Sequence, residues 1–368
     1  MTFDGILFWL IAVPVLLLIL VPLVLVHEFG HFLMARLAGI RVLEFGLGFP
    51  PRARILGHDH ETEYTLNYLP IGGFVRLEGE ESNSDDPRAF TNASLPRQLV
   101  VLVAGVAMNL AVAMLLFFVV AWAFNPVVQP VIGDAPVAGS PAATVGLKAG
   151  ETLISIDGRT HSLLQFSSDP SEAWREDLSA HAGETVPLVV ADANGVQRSV
   201  PVTLHVPTAS ENWSLGVRWG SYSVANTVGD PVTAAGLAIN GTGRAMSLIV
   251  VALGDIAGNF ATNPTQAPAG VQGPVGIASD IGHVVMQPNA LMLLLLMAAI
   301  ISANLALVNV LPFPPLDGGK MVVMVVKRVF GARGVSAVEA AAYVAGFAFL
   351  LAFIAWISYF DIIRGGAP

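Results

Sequence analysis

The chain has 368 residues, of which 54% are hydrophobic and only 12% charged, against roughly 25% charged for an average soluble domain. Its formal net charge of −9 argues against a nucleic-acid partner, which calls for basic patches. The absence of cysteine excludes disulfides, thiolate metal ligands and thiol nucleophiles. The composition is that of a membrane protein.

Taken in chain order, charge-free windows long enough to cross a bilayer locate the spans. Residues 6–26 form the first. With no basic segment before it, where Asp4 is the only charge, and no small-residue cleavage site after it, this window reads as a span and not as a signal peptide. Residues 98–124 form the second, bounded by Arg97 and by Asn125-Pro126. The third lies between His283 and Asp317, densest over 291–311, and the fourth covers 340–360. Residues 245–254 are apolar but too short to span, so they are read as an interfacial or re-entrant helix. Between the second and third spans, from about 126 to 207, short strand-like runs such as TLISIDG and VPLVVAD predict a β-rich insert of ordinary module size. The expected architecture is a polytopic α-helical membrane protein with about four spans. Its parts are an N-terminal membrane part (1–125), the insert (126–207), a connector with an amphipathic segment (208–283) and a C-terminal membrane part (284–368).

The four basic residues after the third span, Lys320, Lys327, Arg328 and Arg333, place that loop in the cytoplasm. The loop after the first span then shares that side, and the β-rich insert lies outside.

The stretch LVLVHEFGHF places His27, Glu28 and His31 at the end of an apolar run. On a helix the two histidines, four residues apart, project from one face. This is the H-E-x-x-H pattern, in which the imidazoles hold one zinc ion and the glutamate is the general base for an attacking water. Ionisable groups in a span are costly and mark a functional site by default. A catalytic zinc site needs a third protein ligand. His58 and His60 lie in a polar loop, His161, His181 and His205 in the insert, and His283 just before the third span. Asp317, in NVLPFPPLDGGK, is the better candidate. Pro312, Pro314 and Pro315 preclude regular helix before it, and Gly318-Gly319 predict a tight turn after it. An Asp in such a place also serves as a turn residue or helix cap.

HEFGH together with NVLPFPPLDGG resembles the site-2 protease family of intramembrane zinc metalloproteases, specifically the bacterial subgroup similar to regulator of sigma-E proteases. The family pattern N-x-x-P-x-x-x-x-D-G falls on Asn309, Pro312, Asp317 and Gly318. The resemblance implies Zn2+ held by His27, His31 and Asp317, Glu28 as base, and Asn309 as a hydrogen-bond donor to the substrate carbonyl or its oxyanion. LPIGGFVRLEGE is similar to the family's membrane-associated β-hairpin, with Gly72-Gly73 as turn signal and Phe74 and Val75 beginning an alternating strand to which a substrate backbone can add. LPRQLVVLVAGVAMN resembles the family's second conserved helix, with Val106 where relatives usually carry proline, and GPVGI (273–277) is another family-like segment. SPAATVGLKAGETLISIDG resembles the core of a single PDZ domain, which implies a peptide ligand at a sheet edge.

The resemblance implies an enzyme of a bacterial inner or cell membrane. It would cut single-span membrane proteins in or near their membrane segment, such as a pre-cleaved anti-sigma factor or a signal-peptide remnant. The PDZ domain would be extracytoplasmic, filtering out substrates with bulky outer domains, and the active site would lie toward the cytoplasm. The rival readings are a non-catalytic membrane PDZ scaffold and a zinc-binding transporter. The intact Glu28 counts against the first, and the absence of an internal repeat against the second.

Overall fold

The computed structural model describes residues 3–59, 61–80, 84–165, 172–208, 211–227, 229–262 and 271–364. Helix α1 spans Phe3–Leu37, strands β1 and β2 span Val42–His58 and Glu63–Leu77, and α2 spans Leu95–Val119, continuing as a π-helical turn to Phe124. Then come β3 (Pro126–Ile132), α3 (Pro141–Thr144), β4 (Thr152–Ile156), β5 (His161–Ser162), α4 (Glu172–Ala180), β6 (Thr185–Ala191), β7 (Gln197–Thr203) and β8 (Trp219–Asn226). Five helices close the chain: α5 (Pro231–Thr262), α6 (Pro274–Val285), α7 (Ala290–Val310), α8 (Asp317–Phe330) and α9 (Ala332–Ile363). The chain divides into two compact units, Met1–Leu116 with Ala245–Pro368, and Phe117–Arg244.

In the first unit, α1 runs without interruption through the H-E-x-x-H residues, to Leu37, eleven residues beyond the apolar window that ends at Val26. The charges end the hydropathy signal but not the helix, because Glu and Leu propagate helix well and a neighbouring helix covers the polar face. Five helices among the described residues are long and apolar enough to cross a membrane, where the hydropathy windows give four. The additional one is α5. Asn240, Thr242, Arg244 and Ser247 interrupt its apolar run, so its mean hydropathy is 1.4 against 2.2 to 3.0 for the others.

Strands β1 and β2 form a two-stranded antiparallel sheet folded on itself. Residues 44–47 of β1 pair with 63–66 of β2 on one side and with 73–76 on the other, while 52–58 pair with 63–67. The stretch 73–77 is thus an edge. The chain reverses between His58 and Glu63, where the Asp59 carboxylate accepts the backbone N–H groups of Glu61 and Thr62 at 3.0 and 2.8 Å. Gly72 and Gly73, expected as the hairpin turn, instead lie inside β2. Gly72 has φ +72°, a bend few other residues take. A Cβ on Gly73 would come 2.6 Å from Leu25 Cδ2, so the glycine lets the edge strand lie directly on α1.

The second unit is β-rich. Its sheet has the order β5-β3-β4-β6-β7, with β8 paired along β3. The core is Ile132, Leu153, Ile156, Trp174, Leu188, Val202 and neighbours. Trp174 on α4 is fully buried and donates its indole N–H to the Val128 carbonyl at 3.1 Å. Ser140 caps α3, accepting the Ala143 N–H, with Pro141 in the first turn. β8 lies beyond residue 207, in the stretch read from sequence as connector.

Candidate metal centre

His27 and His31 lie one helical turn apart on α1 and are both buried. The α1 face that carries them meets α2 at very close range. A Cβ on Gly30 would lie 2.5 Å from the Ala104 carbonyl oxygen, and one on Gly105 would lie 2.9 Å from His27 Cε1 and closer still to the His31 ring. The two glycines let the helices approach until α2 covers the imidazoles. His31 Nδ1 donates to the Val101 carbonyl oxygen at 2.8 Å, which turns Nε2 toward His27.

Asp317 arrives from a chain segment 290 residues away. It is the first residue of α8, immediately after the proline-rich break. Gly318 and Gly319 do not form the expected turn. They occupy the first turn of α8, where a Cβ on Gly319 would come 2.6 Å from the Phe313 carbonyl carbon and one on Gly318 would run into the end of α7. The glycines are needed because the break folds back on the helix it starts, which aims the Asp317 carboxylate at α1.

Asp317 Oδ2 is 2.9 Å from His27 Nε2 and 3.2 Å from His31 Nε2, and the two imidazole Nε2 atoms are 3.1 Å apart. A tetrahedral ion with bonds of about 2.0–2.1 Å holds its ligand atoms roughly 3.3 Å apart. Three anionic or lone-pair donors buried at that spacing fit a zinc ion. This is the one group of three such residues within ligand distance among the described residues.

A cavity of about 60 Å³ opens beside these atoms, room for a few waters. Glu28, His31, Asp317, Glu80 and Lys320 are its polar lining, with Val75 and Leu77 of β2. Glu28 therefore faces the place where a water on the ion would sit. Lys320, one turn after Asp317, donates to Glu80 at 2.8 Å. Burial alone would lower the Lys320 pKa, but the Glu80 charge outweighs it and holds the ammonium protonated beyond the ordinary lysine range.

The sequence-predicted residues are distributed as follows. His27, His31, Asp317 and Glu28 come together, and Val75 lines the adjoining cavity. Gly72 and Gly73 lie against Val24 and Leu25, just before His27, and Phe74 covers Gly46 on the neighbouring strand. Asn309, in the last turn of α7, is half-buried, and its side chain has no hydrogen-bond partner among the described residues. Of the other histidines, His283 donates to Ser279 and packs on Phe8, His161 and His181 flank Asp177, and His60 lies outside the described residues. Sequence reading missed Asn109 on α2. Its side chain is fully buried, with Nδ2 3.3 Å from His27 Nδ1. An asparagine in a charge-free span was the one available signal.

A helix-borne histidine pair, a carboxylate from a distant helix and a glutamate facing an adjoining cavity are the groups that a zinc hydrolase requires. The model of peptidase family M50 matches residues 15–353, and the chain belongs to that family. A Clostridium perfringens relative named as a zinc metalloprotease is 33% identical, over 93% of this chain and 95% of its own length. Relatives named in the same way from Clostridium acetobutylicum (30%, covering 84% and 85%) and Nostoc (32%, covering 86% and 85%) match over a similar extent. The protein is an intramembrane zinc metalloprotease.

Proposed function

We propose that His27, His31 and Asp317 are the zinc ligands and that Glu28 is the general base for hydrolysis of a peptide bond in or near the membrane segment of a single-span protein. The observation that carries this reading is the convergence of three ligand atoms within 3.2 Å of one another beside a cavity that Glu28 lines. A bound zinc ion supplies polarisation of the scissile carbonyl and acidifies the attacking water. Glu28 takes the proton from that water and then delivers it to the leaving amine. Asn309 donates its amide N–H to the developing oxyanion.

The edge stretch 73–77 supports strand addition as the binding mode. An unwound substrate segment pairs there and lies over the cavity that Val75 and Leu77 line. Apolar side chains exposed on the same sheet, among them Phe49, Ile55, Tyr68, Leu69 and Ile71, suit a hairpin immersed in the bilayer surface.

The helix directions support four crossings. His283 of α6 packs on Phe8 near the start of α1, while Asp317 after α7 reaches His27. α7 therefore runs in the same sense as α1. α2 runs the opposite way, with Val101 beside His31 and Asn109 beside His27. The chain leaves α2 and re-enters at α6 on one side, so the number of crossings between them is even and α5 is not one of them. The side bearing Asp317 carries Lys320, Lys327, Arg328 and Arg333 and is cytoplasmic. In this reading the β-rich unit is an extracytoplasmic PDZ domain of a bacterial cell membrane, and the substrates are pre-cleaved anti-sigma factors or signal-peptide remnants.

A purified Glu28→Gln variant tests the catalytic assignment. It should keep about one zinc per chain and lose cleavage of a reconstituted single-span substrate by a factor on the order of 100 or more, as expected for removal of a general base. Cleavage at the wild-type rate would remove Glu28 from the mechanism. A His27→Ala variant that keeps full zinc would remove the ligand set.

A further inference from the structure

We propose that Asn109 is a positioning residue for His27. Its side-chain oxygen accepts the His27 Nδ1–H, and this bond selects Nε2 as the nitrogen that binds the metal. The proposal rests on the ligand set above and goes beyond it.

The two histidines present the same problem and one of them has an evident solution. A neutral imidazole carries one proton, and whichever nitrogen lacks it offers the lone pair. His31 places its proton on Nδ1, donating to the Val101 carbonyl oxygen, so its Nε2 lone pair faces the cluster. The His27 Nε2 also faces the cluster, at 2.9 Å from Asp317 and 3.1 Å from His31. If that nitrogen gives its lone pair to a cation, the proton sits on Nδ1 and needs an acceptor. Among the described residues the one polar side chain within hydrogen-bond distance of His27 Nδ1 is Asn109, at 3.3 Å.

Asn109 is built into the helix packing. It is 0% exposed. Its backbone carbonyl accepts from Ser302 Oγ of α7 at 2.7 Å, so this residue joins α2, α1 and the helix that leads to Asp317. Its Oδ1, however, is buried without a partner, an acceptor placed where no donor among the described residues meets it. A half-turn of the nearly isosteric amide exchanges Oδ1 and Nδ2, and the orphaned acceptor then meets the Nδ1–H. With the His27 proton on Nε2, donating to Asp317, Nδ1 is an acceptor and the amide N–H faces it. With the proton on Nδ1, the amide oxygen faces it. Asn109 can satisfy either tautomer. Only the second leaves Nε2 free to bind a metal; it pairs Oδ1 with the Nδ1–H and turns Nδ2 to the place Oδ1 held. Such outer partners orient a ligand ring and raise its basicity.

The test uses the full chain in detergent, with zinc affinity measured by competition against a chromophoric chelator. Asn109→Leu keeps similar bulk without an acceptor, and should weaken zinc binding about 10–100-fold. Asn109→Asp restores an acceptor and should stay within about threefold of wild type. The 15N spectrum of the zinc-loaded wild-type chain gives a readout that needs no variant: His27 Nδ1 should appear protonated and Nε2 metal-bound. Wild-type zinc affinity in Asn109→Leu, equal losses in the Leu and Asp variants, or an unprotonated His27 Nδ1 would each overturn the proposal. Loss of zinc stoichiometry in the wild-type chain would instead strike the ligand set itself.

Discussion

A Cβ placed on Gly105 falls on both histidine rings, so this glycine sets how near α2 comes to His27 and His31. Gly105→Ala should insert and fold, with an overpacking cost of about 1–3 kcal/mol, and should bind zinc well below one per chain. Metal analysis and thermal unfolding of the same sample check both halves. Lys320 and Glu80 act on a different contact, tying the end of the β2 edge to the first turn of α8. Both side chains are partly exposed, at 36% and 20%, so solvent screening reduces the pair to roughly 1–2 kcal/mol. Lys320→Met and Glu80→Gln should each lower the melting temperature modestly, and the double variant should be no worse than Lys320→Met alone, because the second change removes a contact already lost. Additive losses would show that the two groups act separately.

At the scale of elements, the β1–β2 reversal carries a pH dependence with a defined sign. The Asp59 pKa is lowered to about 2, first by the Glu61 and Thr62 backbone N–H groups and then by Arg36. That is below the unfolded value of about 3.9. The stability it contributes is therefore complete above pH ~3.9 and disappears as pH falls through about 2. Amide exchange at Glu61 and Thr62 should be slower in wild type than in Asp59→Asn at pH 5, with the difference shrinking toward pH 2. A difference independent of pH would assign the effect to shape and not to charge. This turn was not legible in the sequence because Gly72-Gly73 gives the stronger turn signal, and only the folded sheet shows that those glycines serve close packing on α1. The convergence of His27, Glu28, His31 and Asp317 could be anticipated from sequence, since charge in an apolar run and a proline break are local signals, and so could four of the five helices long and apolar enough to cross a membrane. Gly105 and Asn109 were not, because nothing in a charge-free helix tells which of its faces meets the metal. β8 was missed because its polar WGSYSVAN run becomes a strand by pairing with β3 and not by alternation.

For the whole molecule the decisive question is whether α5 crosses the bilayer. By length and hydropathy it qualifies, yet a crossing there would reverse α7 and carry Asp317 to the membrane face opposite His27. In the proposed topology the approach of Asp317 to His27 leaves α5 on one side of the membrane, although its length and hydropathy would allow a crossing. The chain has no cysteine, which makes single introduced thiols clean reporters of sidedness. Thr233→Cys and Asp255→Cys, near the two ends of α5, should react in intact cells with a membrane-impermeant maleimide, as should Asp134→Cys in the β-rich unit. Thr91→Cys before α2 and Arg328→Cys in the last turn of α8, on the side proposed for Asp317, should react only after the membrane is opened. If Asp255→Cys behaves like Thr91→Cys while Thr233→Cys behaves like Asp134→Cys, α5 spans the membrane. The joining of His27 and His31 with Asp317 would then have to be abandoned together with the four-crossing topology, because the same helix directions produce both.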